Sequence, residues 1–227
     1  MYDVKPSKFG QVDNLVDLTE HFGTRTEVYN GVDASFKARF AQRGLLQGGV
    51  SIGRTVADNC IVVDAPQTRA LVAGAPVEGR AGFCRVTPPW SANSQVKLAA
   101  VYPLPWDIQI AGTYQNLPGV PILATYAATN AQIRPSLGRD LAQGGGTVLI
   151  DLVPPGTMYE ERVNQIDLRL NKTFRVAKAR VQGMADIYNL TNANTVTGVV
   201  NTYGPLWRRA TQVMGGRMLK LGMQVDF

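Results

Sequence analysis

The carboxyl-terminal stretch, residues 217–227, alternates strictly. Leu219, Leu221, Met223, Val225 and Phe227 share one parity, and Lys220, Gly222, Gln224 and Asp226 share the other. Successive side chains leave opposite sides of a pleated strand, so the pattern predicts a strand with one apolar and one polar face. A terminal Phe that completes the apolar face fits the closing strand of an outer-membrane barrel. The five apolar residues are therefore the candidate signal for membrane insertion.

The same period recurs upstream. Residues 28–40 set Val28, Val32, Ala34, Phe36, Ala38 and Phe40 against Glu27, Tyr29, Asp33, Ser35, Lys37 and Arg39. Further strands are expected at 45–54, 95–102, 106–115, 164–174 and 179–188, making seven main strands with the last. Two short strands, within 122–129 and 147–153, are expected above the main body. Connections alternate in length. Tight turns are expected at Ala41-Gln42-Arg43-Gly44, at Pro103-Leu104-Pro105 and near Val176, and long segments at 55–93, 117–160 and 189–216. An up-and-down transmembrane barrel has short periplasmic turns and long extracellular loops, and the carboxyl terminus here falls on the short-turn side. The predicted fold class is thus all-β, an antiparallel segment of a larger barrel. Phe40, Tyr102, Trp106 and Phe174, with Phe227, gather near the turns as a candidate aromatic girdle at one membrane boundary. Lys37, Arg39, Asp167, Arg169, Arg180, Asp186, Lys220 and Asp226 fall on the polar faces and are the candidate lumen wall. A strand register that sets Arg169 opposite Asp186 avoids facing two aspartates across the ladder. A soluble sandwich also alternates, but it has no need for every second connection to be long.

Composition narrows the function classes. The 227 residues carry a net charge of +6 and are 45% hydrophobic, with a mean hydropathy of -0.06. No apolar run approaches the ~20 residues of a membrane helix, whereas a barrel strand needs only about 9–11 with every second one apolar. Lys and Arg are scattered, so nucleic-acid binding is not expected. No nucleophile and base pair is visible, and no cofactor or metal site is expected. His21 is expected to be a solvated loop residue. Gly144-Gly145-Gly146 is expected to be a loop element, since no Lys-Ser or Lys-Thr follows it as in a phosphate cradle. Asn189-Leu190-Thr191 matches a glycosylation acceptor in form only. Trp207-Arg208-Arg209 is expected to be a solvated loop, with contact to lipopolysaccharide phosphates as the alternative. The first residues show no basic region followed by an apolar run and a cleavage site, so no signal peptide is expected in this stretch.

Several segments resemble the carboxyl-terminal barrel of TonB-dependent outer-membrane receptors, in particular the Oar-like group with a carboxypeptidase-regulatory-like amino-terminal domain. They are Glu27-Val28-Tyr29-Asn30-Gly31-Val32-Asp33, the stretch from Leu46-Gln47-Gly48-Gly49 through Gly53-Arg54-Thr55 to Asp58-Asn59-Cys60, and Pro135-Ser136-Leu137-Gly138-Arg139. Others run from Arg162-Val163-Asn164-Gln165 to Lys172-Thr173-Phe174, through Asp186-Ile187-Tyr188-Asn189, and across Thr202-Tyr203-Gly204-Pro205. The resemblance implies a fragment of an energy-coupled receptor. Residues 1–24 would be an extracellular loop segment and residues 25–227 the carboxyl-terminal part of the barrel, with plug and TonB-coupling segment lying elsewhere. It also implies outer-membrane lipid and lipopolysaccharide, the barrel-assembly machinery, TonB and an unidentified ligand as partners. An adhesive or structural barrel that binds through its loops without transport is the alternative. An extracytoplasmic address favours a disulfide between Cys60 and Cys84 over two free thiols.

Overall fold

A computed structural model describes residues 3–11, 13, 16–40, 43–61, 83–142, 146–177 and 179–227. The expected turn residues Ala41 and Gln42, and Gly144 and Gly145 of the triple-glycine element, lie outside the described residues. Antiparallel strands dominate. In chain order they are β1 Thr26–Phe40, β2 Gly44–Asp58, β3 Arg85–Val86, β4 Gln95–Leu104, β5 Ile108–Leu117, β6 Thr125–Thr129, β7 Thr147–Asp151, β8 Val163–Val176, β9 Ala179–Tyr188, β10 Val196–Val199, β11 Ala210–Val213 and β12 Met218–Asp226. One α-helix is described, α1 Asn130–Leu137, between β6 and β7.

Seven long strands form one sheet in the order β1-β2-β4-β5-β8-β9-β12, with β3 added beside the top of β2. Sequential neighbours pair throughout, as expected of an up-and-down wall. The sheet is open, with β1 and β12 as its two edges. Its short links join Phe40 to Gly44, Leu104 to Ile108 and Val176 to Ala179, all at the end where the chain terminates. Trp106 and Asp107 turn the second of these hairpins with φ of 64° and 57°, and Ala177 turns the third with φ of 53°.

The main departures from expectation lie above this sheet. Strands β1 and β2 run longer than predicted, because Thr55 and Ala57 continue one parity and Val56 the other while Thr26–Tyr29 provide partners. The two short strands predicted above the body are β6 and β7, which pair from Thr125↔Asp151 to Thr129↔Thr147. Helix α1 was not expected, although its start signal is present: the Gln132 side chain accepts the Thr129 backbone N–H at 3.0 Å. Gly138 ends it with φ of 77°, in the left-handed region that glycine enters without strain. Strands β10 and β11 fall in the long segment 189–216, for which no strand was expected; four residues each with a bulged register leave too little period to detect.

These upper elements are tied into a layer. The Leu123 N–H donates to Asn201 Oδ1 (2.9 Å), the Thr125 N–H to the Asn201 carbonyl (3.0 Å) and the Trp207 indole N–H to the Leu123 carbonyl (2.8 Å). The long loop after β5 is thereby bonded to the one after β9. Tyr203 contacts Tyr126 edge-on and Trp207 at a tilt, with centroids 6.5 and 5.6 Å apart.

Candidate membrane, lumen and loop surfaces

The register sorts the seven long strands into two faces. On one, Val28, Val32, Ala34, Phe36, Ala38 and Phe40 of β1 continue through Leu46, Val50 and Ile52, then Val96, Leu98, Ala100 and Tyr102, Ile108 and Ile110, Ile166, Leu168 and Leu170, Val181, Ala185 and Ile187, to Leu219, Leu221, Met223 and Val225. Much of this face is open: Val32 is 71% exposed and Leu221 and Met223 each 73%. The buried apolar residues among those described are Ile61, Ala92, Ile122, Ala124, Ala128 and Ile133. None belongs to a long strand; all lie in the loop layer or its connections. The one non-glycine residue of the long strands that is buried is an aspartate, Asp186, at 5% exposure. One face of the sheet is thus apolar and largely open, and the single buried non-glycine residue lies on the other, polar face.

The opposite face carries all eight candidate wall residues. Two of them form a close pair: Arg169 and Asp186 are cross-strand partners, as the charge argument expected, and join through two bonds at 2.5 and 2.9 Å. Lys220 stands opposite Asp186 on the other side. Arg180 sits between Arg175 and Asp226. Asp167 serves a different end, accepting the Asn189 backbone N–H at 2.8 Å and two bonds from Gln165. Lys37 and Arg39, at the β1 edge, lie apart from this group. Lys37, Gln47, Ser51, Gln95, Lys97 and Thr113 instead line an open trough of about 640 Å³ on the polar face.

Of the aromatic residues near the turns, Phe40, Trp106, Phe174 and Phe227 are exposed and Tyr102 is half-buried. Phe40 and Tyr102 stack with centroids 5.9 Å apart over Gly44, where a Cβ would meet both rings. Trp106 is 81% exposed and Phe227 fully so. The Lys172 ammonium donates to the Trp106 carbonyl and lies 5.5 Å from the centre of the Phe174 ring.

Loop-layer side chains supply links that the sequence did not announce. Arg162 reaches Asn116 Oδ1 (2.8 Å), the Ser91 carbonyl (2.9 Å) and the Ser94 carbonyl (2.6 Å), fastening the loop after β2 to the top of β8. Asn189, with φ of 51°, is buried; its amide donates to the Ala193 and Gly215 carbonyls and its oxygen accepts the Ala193 N–H. That leaves no free amide for a glycan. Arg139 binds Asp3 at 2.5 Å and the Val4 carbonyl, holding the first described residues against the end of α1. Burial alone would raise the Asp3 pKa, but the hydrogen bonds from Arg139 and from the Ala142 and Val4 amides hold it below the usual carboxyl value. Burial pushes the Tyr159 phenol up. Arg208 of the predicted basic loop pairs with Glu160 at 3.1 Å, and Trp207 is bonded inward as described, so this segment braces the layer. His21 is exposed and bonds Asp17 at 2.7 Å.

Cys60 and Cys84 form a disulfide, S–S 2.04 Å. The Asn59 N–H donates to the Cys84 carbonyl beside it, extending the β2–β3 ladder. Among the described residues no group of His, Cys, Asp or Glu is arranged to hold a metal ion, and no helix is long and apolar enough to cross a membrane. No protein-family model, no curated protein and no solved structure matches this chain.

Proposed function

We propose that this chain is part of the wall of a transmembrane β-barrel in the bacterial outer membrane, and that the barrel is a TonB-dependent receptor for energy-coupled ligand uptake. The observation that carries the membrane reading is the inversion of the long-strand sheet. Most of its Val and Leu and all of its Ile and Phe side chains share one largely open face, and its one buried non-glycine side chain is charged. In water an apolar face of this extent would draw the chain into aggregates; against hydrocarbon it is the lowest-energy arrangement. Each interior long strand pairs with a neighbour on both sides, and the open edges β1 and β12 would need further strands to satisfy their backbone groups, as a bilayer requires.

The receptor reading rests on the motif resemblance together with the braced loop layer. Loops bonded to one another hold a ligand-contacting surface in one shape, which lowers the ordering cost of binding. The polar face with Arg169, Asp186 and Lys220 would be the lumen wall facing a plug. The 219–227 apolar parity would be read by the barrel-assembly machinery.

Two measurements test these claims in turn. In outer membranes prepared from its host, the protein is expected to resist added protease except in its loops; complete digestion would refute the membrane reading. Deletion of the gene in its host is expected to abolish energy-dependent uptake of at least one compound in a panel of iron chelates, peptides and glycans. Unchanged uptake with lost surface adhesion would replace transport by the adhesive reading.

A further inference from the structure

On the outward apolar face of the long strands three residues carry charge, Arg54, Asp58 and Lys172. Asp58, the last residue of β2, faces Arg85 at 3.9 Å; the two cations each lie against an aromatic ring, near opposite ends of the sheet. Lys172 is at the short-turn end, where its ammonium is already committed to the Trp106 carbonyl. Arg54 is near the loop end, with its guanidinium carbon 4.7 Å from the centre of the Trp90 ring. Arg54 has no carboxylate partner among the described residues. Its cross-strand neighbour on the same face is Asn30, a second polar side chain amid valines and isoleucine.

The height of this cluster fits a membrane boundary. From Gly44, under the stacked Phe40 and Tyr102, to Arg54 the strand rises roughly 33 Å at ~3.3 Å per residue, which a strand tilt of ~40° reduces to roughly 25 Å. That is about the height of the apolar band of an outer-membrane barrel. Phe40 and Tyr102 would then lie in one interface and Trp90 in the other. A guanidinium stacked by its face keeps its N–H edge free, and a phosphate accepts two such N–H groups at once. Resting on the membrane reading above, we infer that Arg54, Trp90 and Asn30 form a binding site for a phosphate of an outer-leaflet lipid, lipid A. Arg54 supplies the charged donors, Trp90 holds the guanidinium flat, and the Asn30 amide offers a further N–H. The acyl chains would run down the apolar face past Ile52 and Val32.

The test uses the protein extracted gently from the outer membrane of its host and weighed by native mass spectrometry. The wild type is expected to retain one lipid A adduct, and R54Q to lose about tenfold of it, as removal of a charge-assisted bidentate contact implies. W90A is expected to fall between the two. R43Q, which removes one positive charge at the opposite end, is expected to match the wild type. Excess inorganic phosphate is expected to leave the adduct intact, since the chains hold it; displacement by phosphate would overturn the lipid assignment. Insertion with equal adduct in wild type and R54Q overturns this inference alone. Failure of the wild type to insert overturns the membrane reading and the inference together.

Discussion

Asp186 holds a position that a soluble sheet fills with leucine or valine. It is nearly enclosed, with Arg169 joined to it through two bonds on one side and Lys220 in register on the other. A carboxylate so placed persists because its charge is answered locally rather than by water. Asp3 gives the same principle a pH dependence. Its folded pKa is lowered, so the contact with Arg139 contributes stability fully above the unfolded carboxyl value of 3.8 and loses it as pH falls through the lower folded value. Exchange of the Ala142 amide, which donates to Asp3 at 3.1 Å, is therefore expected to stay slow at pH 5–7. It should accelerate in strongly acidic solution, and in D3N at all pH values. At this scale the charge pattern along β8 and β9 announced the Arg169–Asp186 register, because two facing aspartates are disfavoured. Nothing in the order of residues announced Asn189 or Arg162. The role of each comes from a backbone turn or a carbonyl that only the folded loops bring within reach.

The long strands were legible as elements because an apolar residue at every second position over ten or more residues admits few alternatives. Ala179–Tyr188 begins and ends where expected, and the other long strands differ from expectation mainly at their ends. The loop elements were legible only in part. Strands β6 and β7 carry a faint alternation, whereas α1 is a helix of eight residues with a proline inside it, too short for an apolar stripe. What positions these pieces is close backbone contact. Gly119 is the sharpest case: a Cβ there would stand 2.0 Å from the Glu160 carbonyl oxygen, beside the bridge that pairs Pro121 with Tyr159. G119A is expected to cost about 1–3 kcal/mol by forcing these strands of backbone apart. Thermal unfolding in detergent micelles would measure it, and early proteolysis within 118–162 would locate the damage in the loop layer rather than in the long strands.

At the scale of the whole molecule the two sheet faces should respond oppositely to the same substitution. L170R places a cation on the apolar face and is expected to destabilise the inserted state by about 2–4 kcal/mol if Leu170 lies near the bilayer centre. T113R, on the polar face beside the trough, is expected to leave insertion unchanged. Urea extraction of each variant from host outer membranes compares them, and equal losses for both would count against a lipid-facing apolar side. The order of strands adds a constraint of its own. An odd number of alternating strands gives the sheet two borders that run in the same direction, Thr26 to Phe40 on one side and Met218 to Asp226 on the other. Two such walls inserted in the same sense could meet only in parallel at their seams. A ring with antiparallel neighbours throughout therefore needs an odd number of additional strands, a counting rule that any proposed complete assembly must satisfy.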